Sequence, residues 1–143
     1  RFQADVSPTE AVNQSIEGNE LPRTPNVQFN GSLSKAIETD TGRWDFIGSA
    51  GYRSSQFMTI FNGTDFQNPD NPRLRLNDKV EGYWTFDAGV GYSHGDDDKL
   101  RFEAYVNNLT DEQREQAIII TQFDNTRFFN RPRTYGVRAR VRF

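Results

Sequence analysis

The strictest alternation of apolar and polar residues lies at the C-terminal end of the chain. Tyr135, Val137, Ala139, Val141 and Phe143 fall on one face, and Thr134, Gly136, Arg138, Arg140 and Arg142 on the other. A period of two marks a strand between two different environments. One environment is apolar; the other is basic enough to demand water or pairing acids. Gly82 to Tyr92 repeats the pattern, with Trp84, Phe86, Ala88, Val90 and Tyr92 opposite Tyr83, Thr85, Asp87, Gly89 and Gly91. Leu100 to Val106 sets Leu100, Phe102, Ala104 and Val106 against Arg101, Glu103 and Tyr105. Arg43 to Arg53 places Trp44, Phe46, Gly48, Ala50 and Tyr52 on its apolar face and is expected to run on toward Met58. Asn26 to Ile37 alternates with Val27, Phe29, Gly31, Leu33, Lys35 and Ile37 on one side, and Arg1 to Val6 alternates weakly.

The connections between these strands alternate in length. Ser7 to Thr24 reads as a long loop, because Pro22 and Pro25 exclude a central strand beside them; its Ser7 to Glu10 stretch suits the start of one helical turn. Glu38 to Gly42 is a tight turn, Asn62 to Asp78 a second long loop, and Ser93 to Lys99 a short turn. Asn107 to Asn130 is a third long connection, in which the β-prone Ala117 to Phe123 is expected to extend a strand of the flanking hairpin. The fold class that follows is all-β, an antiparallel meander of about six strands. Two settings fit it. In a large transmembrane barrel the apolar face meets lipid and the polar face a wet lumen. In a soluble β-sandwich or small-barrel module, for instance a carbohydrate-binding one, the apolar face is hidden and the arginines guard an edge.

Composition removes other classes. A net charge of −3 argues against nucleic acid as the main partner. The mean hydropathy of −0.81 excludes a helical membrane protein but not a barrel, in which only alternate residues meet lipid. The absence of cysteine excludes thiolate metal sites and disulfide scaffolds. The opening at Arg1, already in a strand pattern, reads as the end of a longer protein.

Three stretches then resemble the C-terminal end of a TonB-dependent outer-membrane receptor. Gly18-Asn-Glu-Leu-Pro-Arg-Thr-Pro25, followed by an alternating strand, is similar to an outer loop entering one of the last barrel strands. Val106-Asn-Asn-Leu-Thr-Asp111 is similar to the element that follows the penultimate strand, and Arg131-Pro-Arg-Thr-Tyr-Gly136 with Val137 to Phe143 is similar to the closing strand. The resemblance implies one segment of a barrel of roughly 22 strands around a plug, with residues 1–143 its C-terminal portion and the plug and earlier strands absent. It implies a Gram-negative outer-membrane location and uptake of a scarce nutrient: a siderophore, cobalamin, haem or carbohydrate. The implied partners are outer-membrane lipid, the rest of the barrel and plug, the barrel-assembly machinery, the small-molecule nutrient, and TonB only through the absent plug. An isolated chain would have to fold its sheet over or self-associate, because the apolar face and edges at Arg1–Val6 and Tyr135–Phe143 are otherwise bare.

Candidate residues follow from that placement. Asp87, Arg101, Glu103, Arg138, Arg140 and Arg142 become lumen-facing charges, read either as cross-strand ion pairs or as an anion-attracting path. Tyr135, Val137, Val141 and Phe143 resemble the barrel-assembly signal, a strand edge offering backbone pairing and side-chain anchors. Phe61, Phe66, Phe123 and Phe128, with Phe57 and Phe129, either grip a ligand from the loops or pin the loops together. No cofactor, metal site or catalytic group is expected. Asp96 to Asp98 fit a solvated turn, Asp65 and Asp70 are weak cation candidates, and His94 lacks a partner at triad or zinc spacing. Asn62-Gly-Thr64 and Asn108-Leu-Thr110 match the N-glycosylation pattern, by accident if the setting is a bacterial outer membrane.

Overall fold

The computed structural model describes residues 2–7, 10–14, 16–63, 77–95, 99–120 and 125–142. Within them the chain forms eleven strands and no helix. It divides into two compact units, one a large sheet and the other drawn from Arg1–Asn26, Ser54–Gly82 and Glu115–Phe129.

The sheet unit holds five antiparallel strands: β3 (Gln28–Thr39), β4 (Gly42–Arg53), β7 (Tyr83–His94), β8 (Leu100–Asn107) and β11 (Thr134–Val141). Their order is β11-β8-β7-β4-β3, so each strand pairs with its neighbours in the meander. The pairing carries single rows across the sheet. Ile37, Trp44, Tyr92, Phe102 and Ala139 form one row, and Lys35, Phe46, Val90, Ala104 and Val137 the next. Because register conserves the face, one surface gathers the aromatic and aliphatic residues and the other the charged and small polar ones. The strands β3, β4 and β7, at 12 residues each, exceed the ~9–11 residues that cross a bilayer at a tilt.

The apolar surface is bare. Val137 is 85% exposed, Tyr135 80% and Leu33 79%. The sheet does not fold over on itself to cover them. Aromatic residues concentrate at the two ends of this surface. Phe29, Tyr52, Trp84 and Phe86 cluster at the end of the long connections, with Tyr52 and Trp84 ring centres 4.8 Å apart. Trp44, Phe46 and Tyr92 cluster at the short-turn end, with Trp44 and Tyr92 4.7 Å apart. Small and aliphatic residues, Leu33, Gly48, Ala88 and Val106, lie between.

The second unit contains β1 (Phe2–Ser7) paired with β2 (Glu10–Gln14), β5 (Gln56–Phe57) with β6 (Lys79–Val80), and β9 (Glu115–Ile120) with β10 (Asn125–Phe129). Its small core is Met58, Val80 and Ile118, with Ile120 packed against it. Several expectations change here. Glu10–Gln14 is a strand, not loop or helical turn: pairing with β1 supplies its backbone partners. Ala117 to Ile120 belongs to a separate hairpin with β10 and extends no strand of the sheet. The strand from Arg43 stops at Arg53, and Gln56–Phe57 pair elsewhere. Among the described residues the free edges of the five-stranded sheet are therefore β3 and β11, and Phe2–Ser7 pairs with β2 in a separate two-stranded sheet.

Candidate functional site

The polar face of the sheet is built around Arg101. Along β8 this residue alternates to the side opposite Phe102, and its guanidinium reaches across β7. Arg101 Nη1 donates to Asp45 Oδ2 at 2.6 Å and to Ser93 Oγ at 2.9 Å, while its Nε donates to Glu103 Oε1 at 2.8 Å. Asp45 also receives Arg43, whose Nε lies 3.1 Å from Oδ1. Glu103 receives Arg138 Nη1 at 3.2 Å from the directly opposite position on β11. One chain of ion pairs thus links β4, β8 and β11 over the top of β7.

Gly91 makes the crossing feasible. The register sets Gly91 between Asp45 and Glu103. A Cβ at Gly91 would lie 2.7 Å from Arg101 Nη2, inside the contact distance. The strand between the acid and its arginine therefore carries no side chain, and the guanidinium lies flat over backbone. Gly136 has the same role further along this face, where the Tyr105 hydroxyl would sit 2.8 Å from its Cβ. These residues line a concave surface of about 680 Å³ bounded by Asp45, Ile47, Arg101, Glu103, Tyr105 and Arg138. Ile47, 57% exposed, adds an apolar side chain to this face.

Of the six charges expected to share a face, Arg101, Glu103 and Arg138 join this network. Arg140 lies opposite Arg101, a like-charge row, and no ion pair holds it among the described residues. Arg142 donates its backbone amide to the Lys99 carbonyl at 2.8 Å, and its side chain is exposed. Asp87 does not pair with an arginine. Its two oxygens accept from Ser49 Oγ at 3.1 Å and from the Asn108 amide at 2.9 Å, so it fastens the end of β8.

The stretch Asn108 to Asp111 has a definable role that the motif alone did not convey. Asn108 is buried and in the left-handed region at φ 53. Its amide donates to the carbonyls of Glu112 and Arg131, and its Oδ1 accepts from the Glu112 backbone. Asp111 Oδ1 accepts from the Arg133 amide at 2.9 Å. The element ties the end of β8 to the start of β11. A glycan on the buried Asn108 is excluded by this packing.

Tyr135, Val137 and Val141 lie together on the exposed apolar face of β11, whose outer edge carries no partner strand among the described residues; Phe143 lies outside the described residues. In the other unit, Phe61 occupies a turn and is half-buried, and Phe128 on β10 is 48% exposed. Phe66, Phe123, Asp65, Asp70 and Asp96 to Asp98 lie outside the described residues. His94 is exposed at the end of β7, its Nδ1 3.4 Å from the Tyr92 hydroxyl.

The chain matches the family model described as TonB dependent receptor-like, beta-barrel, over residues 2–109. It is similar to the crystal structure of the ferric yersiniabactin uptake receptor FyuA from Yersinia pestis, with 20% identity and a TM-score of 0.68 over 94% of this chain and 19% of that one. It is similar also to BauA, the ferric preacinetobactin receptor from Acinetobacter baumannii, with 22% identity and a TM-score of 0.59 over 87% of this chain and 16% of that one. The chain spans a fifth or less of the length of these receptors. No curated protein matches it.

Proposed function

The chain belongs to the TonB-dependent receptor-like β-barrel family, and we propose that residues 1–143 form the C-terminal wall of an outer-membrane uptake receptor whose plug and earlier strands lie outside this sequence. The observation that carries the reading is the contrast between the two faces of the sheet. The apolar face is bare, continuous and banded with aromatic residues at both ends, which suits lipid between two interfaces. The opposite face is wired with ion pairs, which suits a wet lumen. A soluble sandwich would need the apolar face covered.

In this reading Arg101, Glu103 and Arg138 are lumen-wall residues that hold adjacent strands. Arg140 and Arg142 face counter-charges supplied by the plug. The free edge of β11, with Tyr135, Val137, Val141 and Phe143, takes the next strand of the closed barrel and presents the assembly signal. Phe61, Phe66, Phe123 and Phe128 belong to ligand-contacting loops. The nutrient proposed is a ferric siderophore, the class named for both solved receptors of similar fold.

The test uses the full receptor that carries this chain. It should fractionate with the outer membrane, show heat-modifiable mobility, and bind a ferric siderophore in preference to cobalamin, haem or an oligosaccharide, measured by fluorescence quenching of the purified protein. A receptor that binds cobalamin and no ferric complex overturns the nutrient. A protein recovered soluble and monomeric without detergent overturns the membrane reading itself.

A further inference from the structure

One charged side chain stands on the apolar face of the sheet. Along β3, Lys35 shares that face with Leu33 and Ile37, and its register partner on β4 is Phe46. Its row continues through Val90, Ala104 and Val137, all apolar. Among the described residues of the five strands, no other Lys, Arg, Asp or Glu lies on this face. The nearest acids along the ladder, Glu38 opposite Arg43 and Asp45 opposite Ala36, belong to the polar face. Lys35 is exposed, and its ammonium has no ion pair among the described residues.

The same face carries a shallow hollow of about 530 Å³, walled by Phe29, Leu33, Phe86 and Leu109, with Gly31 and Gly48 in its floor. The Phe29 ring folds over Gly31, where a Cβ would lie 2.9 Å from the ring Cζ. Gly48 stands opposite Leu33, and a Cβ there would meet nothing nearer than the Asp87 carbonyl oxygen at 3.9 Å. Leu109 is held at the rim by its amide, which donates to the Phe86 carbonyl at 2.7 Å. The hollow begins at Leu33, two residues from Lys35. It reaches Gly31, ~13 Å from Lys35 along the strand.

We propose that Lys35 and this hollow bind one anionic phospholipid, with its phosphate on the Lys35 ammonium and an acyl chain laid over Gly48 and Gly31. In the membrane setting proposed above, on which this site depends, an unpaired ammonium is costly in hydrocarbon. A lysine lowers that cost by extending its stem toward the headgroups. Trp44 and Tyr92 mark the headgroup level one row beyond Lys35, and the Tyr92 hydroxyl donates to the Thr41 carbonyl of the short turn at 3.0 Å. Short turns of such barrels face the periplasm, so the lipid belongs to the inner leaflet. A carboxylate on a strand added beside β3 would also pair with Lys35, but it would bring a second charge onto the lipid face. A headgroup phosphate already lies outside the hydrocarbon. A cation in line with an apolar furrow matches the two ends of a phospholipid.

The experiment is native mass spectrometry of the full receptor, delipidated in detergent and titrated with dioleoyl phosphatidylglycerol or dioleoyl phosphatidylcholine. The native receptor should bind the anionic lipid about fivefold more tightly, the gain expected from one lysine at an anionic surface. Lys35→Gln should erase that preference and Lys35→Arg should keep it. Gly48→Leu, which fills the furrow, should weaken both lipids by about fivefold and leave the preference intact. Heat-modifiable mobility checks that each variant has formed its barrel. Equal affinity for the two lipids in the native receptor, or a preference that survives Lys35→Gln, overturns the site. Unchanged affinity after Gly48→Leu overturns the place given to the acyl chain. Displacement of phosphatidylglycerol by inorganic phosphate would reduce Lys35 to an anion site and overturn the lipid. A receptor recovered without detergent fails the membrane reading; a detergent-bound receptor with no headgroup preference fails this site alone.

Discussion

The two units of this chain solve the burial problem in opposite ways. In the unit that holds β5, β6, β9 and β10, Met58, Val80 and Ile118 turn inward into a small core, together with the polar side chains of Gln56 and Asp78. The five-stranded sheet hides almost none of its large apolar side chains and holds its polar face together with a guanidinium laid across a neighbouring strand. The same alternating chemistry gives a core in one place and an exterior in the other. The difference teaches that an exposed apolar surface marks a missing environment only when its own polar side is already satisfied. Here an ion-pair network already joins β4, β8 and β11 across β7 on the polar side, and lipid is the solvent we propose for the other.

The sharpest way to break this comparison is to place one charge in each region. Leu33→Arg, near the middle of the apolar face, should cost about 2–4 kcal/mol of folding stability in lipid vesicles. Phe128→Arg, on exposed β10, should stay within about 0.5 kcal/mol. Urea unfolding in vesicles measures both; equal costs would mean the two surfaces see the same solvent.

Next in size is Gly91→Val. Its side chain would occupy the place of the Arg101 guanidinium and separate it from Asp45. Overpacking of this kind costs about 1–3 kcal/mol. A double variant with Arg101→Ala should recover some of the steric loss, and the absence of any recovery would mean that Gly91 serves the backbone alone. Smaller again is Ile118→Val, expected to cost about 0.5–1.5 kcal/mol. That loss should appear as faster amide exchange in β9 and β10 and leave barrel assembly unchanged. Faster exchange throughout β7 and β8 would show instead that the two units unfold together. The smallest effect is expected from Arg138→Ala. Its partner Glu103 keeps Arg101, and the exposed pair contributes too little to move a melting curve. A clear loss of melting temperature would show that the ion pairs act as one unit.

How much of this was legible in the sequence depends on whether the determining contact is local. The faces of β3, β4, β7, β8 and β11 follow from alternation, because a one-residue slip would turn every Trp and Phe of a strand to the wrong side. The facing of Arg101 and Glu103 was equally legible. Their partners were not. Asp45 lies 56 residues from Arg101, and only the register across β7 brings the two together. Asp87, of the same charge and on the same face, falls two rows away from Asp45 and takes a backbone amide instead. Glu10–Gln14 was missed because its strand character comes from pairing with β1 and not from its own polar composition. Gly91 carried no signal at all: an absent side chain acquires meaning only from the arginine that lies over it.

The two aromatic bands on the sheet have a further consequence. Trp44 and Tyr52 stand eight residues apart on β4, which is ~27 Å along the strand. At the usual barrel tilt of 35–45° the bands are then separated by ~20 Å in height. That is less than the ~30 Å hydrocarbon thickness of an average bilayer. In the proposed membrane setting, such a wall would match a thin bilayer. Short-chain lipids would accept it unstrained. Longer acyl chains would have to compress around it, or the strands stand more upright, so hydrophobic mismatch alone would sort such a protein toward the thinner of two membranes.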